Sequence, residues 1–388
     1  MQTLSKLIQN NLKQYGMIIA LLLIVLLFQI LTAGILLKPL NITNLILQNS
    51  YILVLAIGMV LVIITGHIDL SVGSVAAFIG AISAILMVEL NMHPFLSVVL
   101  CLLLGALIGA WQGFWVAYIK IPAFIVTLAG MLLFRGLTMI VLEGQSIAPF
   151  PTDFRQISAG FVPDFFGSGS IHIFSLVISV ALSLIFVYKE VKDRKNQLKY
   201  HFNVLPKSLF IAKLVGVAVV MNGFTYILAT YKGIPNILVI LFVLIVGYSF
   251  MMKKMVVGRH IYAVGGNEKA AGLSGIKTKR VTFWVFVNMG ILSALSGLIF
   301  AARLNAATPK AGNLFELDAI AAAFIGGASA YGGVGTVIGA IVGGLVMGVM
   351  NNGMSIIGLG VDWQQGIKGL VLLSAVAFDV FNKNKSSS

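Results

Sequence analysis

Apolar residues in this chain run in long blocks, and polar residues fall almost entirely between them. The pattern is neither the three-to-four spacing of an amphipathic helix nor the alternation of a half-buried strand. The blocks are Met17–Ala33, Tyr51–Gly66, Val72–Val88, Phe95–Val116, Phe124–Leu142, Ile171–Tyr188, Ser208–Thr230, Ile237–Met252, Val281–Ala302, Ala319–Met350 and Gly366–Phe381. A helix needs about 20 mostly apolar residues to cross a bilayer. The pattern therefore predicts an all-α, polytopic membrane bundle of about ten transmembrane helices. Two segments interrupt it. Ala319–Met350 is too long for one simple span, and its centre, Gly326-Gly327-Ala328-Ser329-Ala330-Tyr331-Gly332-Gly333-Val334-Gly335, reads as a helix break. The other interruption, residues 66–74, leaves almost no loop between two apolar blocks. Broken backbone at membrane depth is tolerated only where it is buried in protein or lines a cavity. No soluble stretch stands out, and residues 1–388 read as a single domain.

Composition agrees with lipid as the solvent. Of 388 residues, 59% are apolar and 10% are charged, against roughly 25% charged in soluble domains. The first apolar block is longer than a signal-peptide core and many spans follow it, so a retained anchor is expected. The 41 glycines fit helices that approach one another closely. A net charge of +14 would suit a nucleic-acid binder, but the basic residues gather in a few loops, which is the signature of membrane orientation. Lys189, Lys192, Arg194, Lys195, Lys199 and Lys207 share one such loop. Lys253, Lys254, Arg259, Lys269, Lys277, Lys279 and Arg280 share another. Both are expected in the cytoplasm, with Lys120 and with both termini (Lys6, Lys13, Lys383, Lys385). Residues 143–170, with Arg155 alone, are expected outside.

Candidate chemistry is sparse. The chain has no phosphate-binding loop, no zinc motif and a single cysteine, Cys101. It is not expected to be an enzyme, to hold a metal or to need a cofactor. In Gly66-His67-Ile68-Asp69-Leu70-Ser71-Val72-Gly73-Ser74, Asp69 and Ser71 either cap the following helix or line a permeation path with His67; the two roles are compatible. A loose repeat sets Gly66…Gly73-Ser74 and Ile79-Gly80-Ala81-Ile82 beside Gly327…Gly335-Thr336 and Ile338-Gly339-Ala340-Ile341. Breaks at matching places in two halves point to a transport pathway. Arg135 is expected to face the bundle interior, and Lys368 to snorkel. Asn351, Asn352, Trp363 and Gln364 are candidates to meet a polar substrate, with Glu316, Asp318, Asp362 and Gln365 near the same side. Residues 258–276 are polar enough to leave the bilayer yet keep Ile261, Ala270, Ala271, Leu273 and Ile276, as a short helix docked against another protein would. A turn lying on the lipid surface is the rival reading.

Four ordered motifs carry a resemblance that covers essentially the whole chain. They are Gly66–Ser74, Ile121–Met131 with Phe134-Arg135-Gly136, Tyr262–Asn267 with Ala270–Ile276, and Gly326–Gly335. Together they resemble the permeases of ribose-, xylose- and galactose-type ATP-binding-cassette (ABC) importers. Within that group the chain looks most like the multiple-monosaccharide permeases, with the xylose permeases next. His67 and Pro149–Phe154 are the distinguishing residues. The resemblance implies a permease that moves monosaccharides inward across a bacterial inner membrane. It implies a second permease copy, a cytoplasmic tandem ATPase and an external sugar-binding protein. It places the ATPase contact within 253–280, at Gly265, Gly266, Asn267, Glu268, Ala270, Ala271, Leu273 and Gly275. An ion-coupled sugar transporter and a non-transporting scaffold are the competing classes. The long spans are nearly free of the carboxylates that ion coupling needs.

Overall fold

The fold is taken from a computed structural model. It describes the backbone of residues 2–387 apart from 168, 170, 201 and 203. Side chains are described from residue 16 onward, apart from those four positions, 378, 379 and 381–388. Lys6, Lys13, Lys383 and Lys385 lie outside the described side chains.

Long apolar helices dominate because a bilayer leaves backbone groups no partner but each other. α1 (Gln2–Leu31) leads into α2 (Pro39–Ile64), and α3 (Val72–Ala84) is prolonged by a π-helical turn at Ile85–Glu89. Then come α4 (Pro94–Ala117), α5 (Ala123–Val141) and the short α6 (Thr152–Ala159). α7 (Ile173–Lys199) and α8 (Lys207–Ala229) form a hairpin, and α9 (Asn236–Lys254) follows. α10 (Val256–Gly266) and α11 (Glu268–Leu273) are short and lead into α12 (Thr278–Leu304). The chain ends with α13 (Phe315–Ile325), α14 (Val337–Ile356) and α15 (Val361–Ser387). Among the described residues nine helices are long and apolar enough to span a membrane, beside the shorter apolar stretch Gly16–Leu31.

The boundaries differ from the apolar blocks in one informative place. α2 starts at Pro39, well before Tyr51, because Asn41, Thr43, Asn49 and Ser50 interrupt the apolar run. They are accommodated inside the bundle: Asn41 bonds Asn352 at 2.8 Å, and Asn49 returns to the Leu45 carbonyl at 2.9 Å. α2 and α12 are the buried axis of the molecule, whereas α7, α8 and α9 are mostly exposed. α4 meets α12 glycine to glycine, with Gly105 and Gly109 against Gly290.

α14 runs antiparallel to α2, through Gly344 beside Leu53, Gly348 beside Asn49 and Asn352 beside Asn41. This register defines two ends. The basic end holds the close of α2, the Lys120 turn, α10–α11 and the start of α14. The opposite end holds the start of α2, residues 357–360 and the 143–172 segment. That segment is anchored by pairing of Ile147 with Ala307 and of Phe161 with Pro235. Phe150 and Phe154 of the same segment are buried in the apolar cluster where α6 meets α12.

Candidate functional site

Both expected breaks are present, and their helix ends are built alike. α2 stops at Ile64 and α13 at Ile325; Gly66 and Gly327 each follow at φ +80°. In each, the glycine N–H bonds back to a helical carbonyl (Ile63, Phe324) and the next residue reaches one residue further back (His67 to Val62, Ala328 to Ala323). This is the Schellman arrangement, which suits glycine because only glycine takes that φ without strain. The sequence register of the repeat does not carry into the helices. Gly80 is the ninth residue of α3, whereas Gly339 is the third of α14. The two glycines matched through a common apolar tetrapeptide, not through equivalent positions.

Inside the membrane, two helix N-termini converge. Residues 66–71 turn back from the end of α2, and α3 starts within the bundle. Residues 305–314 bring α13 to the same depth from the opposite side. Gly73 lies against Gly312 and Glu316, and Phe315 stacks on Tyr51, half-way along α2, with ring centroids 4.0 Å apart. Phe300 completes an aromatic cluster, 5.3 Å from Tyr51 and 5.0 Å from Phe315. Acidic side chains follow the helix ends, as macrodipoles favour: Asp69 precedes α3, and Glu316 and Asp318 sit in the first turn of α13.

Asp69 is 2% exposed. Its Oδ1 accepts the Ser71 N–H at 2.8 Å and the Ser71 hydroxyl at 2.6 Å. Gln112 of α4 then donates to Ser71 Oγ at 2.7 Å. The expected cap is thus an Asx turn one step ahead of the helix, because Ser71 makes no side-chain bond to the first turn of α3. Arg135 is half-buried and donates to Asn313 Oδ1 at 3.1 Å, an amide rather than a carboxylate. Lys368 does not snorkel: it turns into the bundle and pairs with Asp318 at 3.0 Å. A free end would have left Asp318, 3% exposed, without its countercharge. Glu316 Oε2 is buried and has no hydrogen-bond partner among the described residues.

The candidate pathway residues fall at three depths rather than in one site. Asp69 and Ser71 are in the interior. His67 is near the basic end, 6.0 Å from the Phe286 ring. Asn351, Asn352, Trp363 and Gln364 are towards the opposite end, where Asn352 is tied to Asn41, Gln364 bonds the Leu359 carbonyl at 2.9 Å, and Trp363 is exposed. Tyr51 and Phe315 carried no sequence signal beyond being aromatic; only the chain path brings them together.

The 253–280 segment forms α10 and α11 at the basic end. Gly265 is pressed against the Ile64 carbonyl, and a Cβ there would collide with it and lie 2.8 Å from the Gly333 nitrogen. Gly333 itself donates to Ile64 O at 2.8 Å, and Tyr262 Oη donates to Gly335 O at 2.7 Å. One short helix thus touches both breaks. Asn267 caps α11 by accepting the Ala270 N–H at 2.9 Å. Glu268 accepts from Lys120 at 2.6 Å, and that bond holds its carboxyl below the usual glutamate range. Leu273 is 92% exposed, and Gly266, Ala270 and Gly275 are exposed as well. Ile261 and Ala271 depart from the expected docking face: they are 2% and 5% exposed and pack on their own chain, as Gly265 does against Ile64.

Comparison with known proteins follows the same outline. The sequence pattern of the branched-chain amino acid transport system / permease component family matches residues 41–376. The chain is 39% identical over 376 residues to the xylose transport system permease protein XylH of Escherichia coli K12, covering 97% of this chain and 94% of that protein. It is 40% identical over 381 residues to XylH of Haemophilus influenzae, covering 98% and 99%. It is 33% identical over 339 residues to the ribose import permease protein RbsC of Escherichia coli K12, covering 87% and 85%. No solved structure matches.

Proposed function

The chain belongs to the branched-chain amino acid transport system / permease component family, and from that premise we propose how this permease subunit of an ABC importer carries a monosaccharide. The proposed cargo is an aldose of the xylose and ribose class, taken up through a pathway formed with a second copy of the chain. ATP is hydrolysed by a cytoplasmic tandem ATPase, and sugar arrives from an external binding protein.

The basic end is assigned to the cytoplasm of a bacterial inner membrane, both termini included, because unpaired lysines and arginines are retained on that side. Leu273, Ala270 and Gly266 form the surface offered to the ATPase. The pathway is assigned to the face of the interior junction, where the orphaned Glu316 Oε2 and the Asp69–Ser71–Gln112 chain supply acceptors and donors for sugar hydroxyls. His67 serves its cytoplasmic exit. Asn351, Asn352, Trp363 and Gln364 serve its external mouth, the indole offering an apolar face to a sugar ring.

The observation that carries the mechanism is the contact of Gly265 with Ile64 and Gly333. A displacement of α10 by the ATPase cannot leave either break in place, so closure of the ATPases is passed to both half-helices at once. An ion-coupled transporter would have no use for a soluble-facing segment wired in this way.

The test is uptake of radiolabelled xylose, ribose and galactose into vesicles rebuilt with the chain, the ATPase and the binding protein. ATP-dependent uptake that survives an uncoupler is expected. Uptake that needs an ion gradient and no ATP overturns the reading.

A further inference from the structure

At the basic end α9, α10 and α12 enclose a cavity of about 530 Å³. Its depth is apolar, walled by Met251, Ile261 and Val285, and its mouth carries Lys277, Arg280 and Trp284. The inner limit is Asn288, which accepts a hydrogen bond from Tyr248 of α9 and so ties the two helices together below the opening. From Lys277 to Asn288 the rise of 1.5 Å per residue gives a depth of about 16 Å. A hydrocarbon core is about 30 Å thick, so the cavity is as deep as one leaflet.

The mouth is strongly cationic. Residues 253–280 hold Lys253, Lys254, Arg259, Lys269, Lys277, Lys279 and Arg280 against one acid, Glu268. Lys120, from another turn, already occupies that acid at 2.6 Å. Among the described residues Lys277, Lys279 and Arg280 have no ion-pair partner. Trp284 is 64% exposed on the outer wall, where amphipathic rings sit at the headgroup level.

We propose that this cavity binds one anionic phospholipid from the leaflet at the basic end. An acyl chain fills the apolar depth, and Lys277 and Arg280 hold the headgroup phosphate. Charge complementarity selects the headgroup, and the apolar walls select a lipid over a protein. An acidic protein surface could meet the rim but would leave the interior empty. Basic pockets between transmembrane helices are a recurring form of lipid recognition. The bound chain packs behind α10, so occupancy fixes the resting position of the segment that touches both breaks. Identifying the leaflet as cytoplasmic rests on the orientation proposed above; the lipid preference does not.

The test is native mass spectrometry of the purified chain in neutral detergent with equal amounts of phosphatidylglycerol and phosphatidylcholine. The wild-type chain should retain phosphatidylglycerol over phosphatidylcholine by about thirtyfold, from roughly 1 kcal/mol for each of the two cations near a phosphate. Raising the salt to about 1 M should erode that ratio. The pair Lys277→Gln and Arg280→Gln should abolish it, while Lys189→Gln with Lys192→Gln leaves it intact. Val281→Trp, which fills the cavity with every charge kept, should lower retention of both lipids. Equal retention by the wild-type chain overturns the proposal whether or not any variant folds. A double variant that keeps the preference but no longer co-purifies with the ATPase also overturns it, and reassigns the cations to that protein. A cysteine placed at Leu273 that is labelled from outside intact cells, with the lipid preference unchanged, would sink the orientation alone.

Discussion

Asp69 sits where a carboxylate is costly, and its neighbours say what it does there. It is an acceptor first: one oxygen serves the Ser71 N–H and hydroxyl, and Ser71 in turn receives Gln112. Asp69→Ala leaves those donors unpaired, which costs about 1–3 kcal/mol, so a lower unfolding temperature and reduced transport are expected. Asp69→Asn keeps an oxygen in the same place and should fold and transport close to wild type. If Asp69→Asn keeps its unfolding temperature yet stops transport, the negative charge itself is used, and the capping account is insufficient. Glu316 is the converse case. Its Oε2 has no partner to lose, so Glu316→Gln should fold normally and raise the sugar concentration needed for half-maximal uptake. The acidic positions were visible in the sequence. That Glu316 is the unpartnered one, and that Lys368 reaches Asp318, depends on chain paths that no local pattern encodes.

The breaks are the element the sequence announced best, because glycine density and a lone Asp inside apolar runs have few other uses. The meeting of the α3 and α13 N-termini was not announced. It is made by the 305–314 connection, whose residues carry no periodicity, and by a register that apolar tetrapeptides cannot specify. The coupling segment shows the same division. Its amphipathic look marked a docking helix, but α11 has only six residues, too few for a pattern to tell Ala271, which is covered, from Leu273, which is not. Leu273→Glu should therefore weaken ATPase binding in a pull-down while leaving the permease stable. Gly265→Val should do the opposite. The added side chain meets the Ile64 carbonyl, so the ATPase should still bind and hydrolyse ATP while uptake falls by about tenfold or more. If Gly265→Val transports normally, α10 does not drive the breaks. The Lys120–Glu268 contact adds no pH switch. Glu268 titrates below its ordinary value, so the pair is fully present above the ordinary glutamate range and is lost only as pH falls through the lowered value.

For the whole molecule, charge and depth support the proposed orientation, which helix count alone would not. The Lys120 turn, the α7–α8 connection and α10–α11 lie at one end, and the Lys120–Glu268 contact ties two of them together. At the other end the 143–172 segment packs Phe150 and Phe154 inward and leaves Phe165 and Phe166 exposed. The bias that keeps lysine- and arginine-rich loops on the cytoplasmic side is what supports the proposed direction. Cys101, the one cysteine in the chain, is buried, so single introduced thiols can be read without background. Phe166→Cys should react with a membrane-impermeant maleimide in intact cells. Lys192→Cys should react only after the membrane is opened. The reverse pattern would place the coupling helices outside, away from any source of ATP. In that case the Gly265 joint would have to answer to an extracellular partner, and the importer mechanism would fail as a whole rather than in one residue.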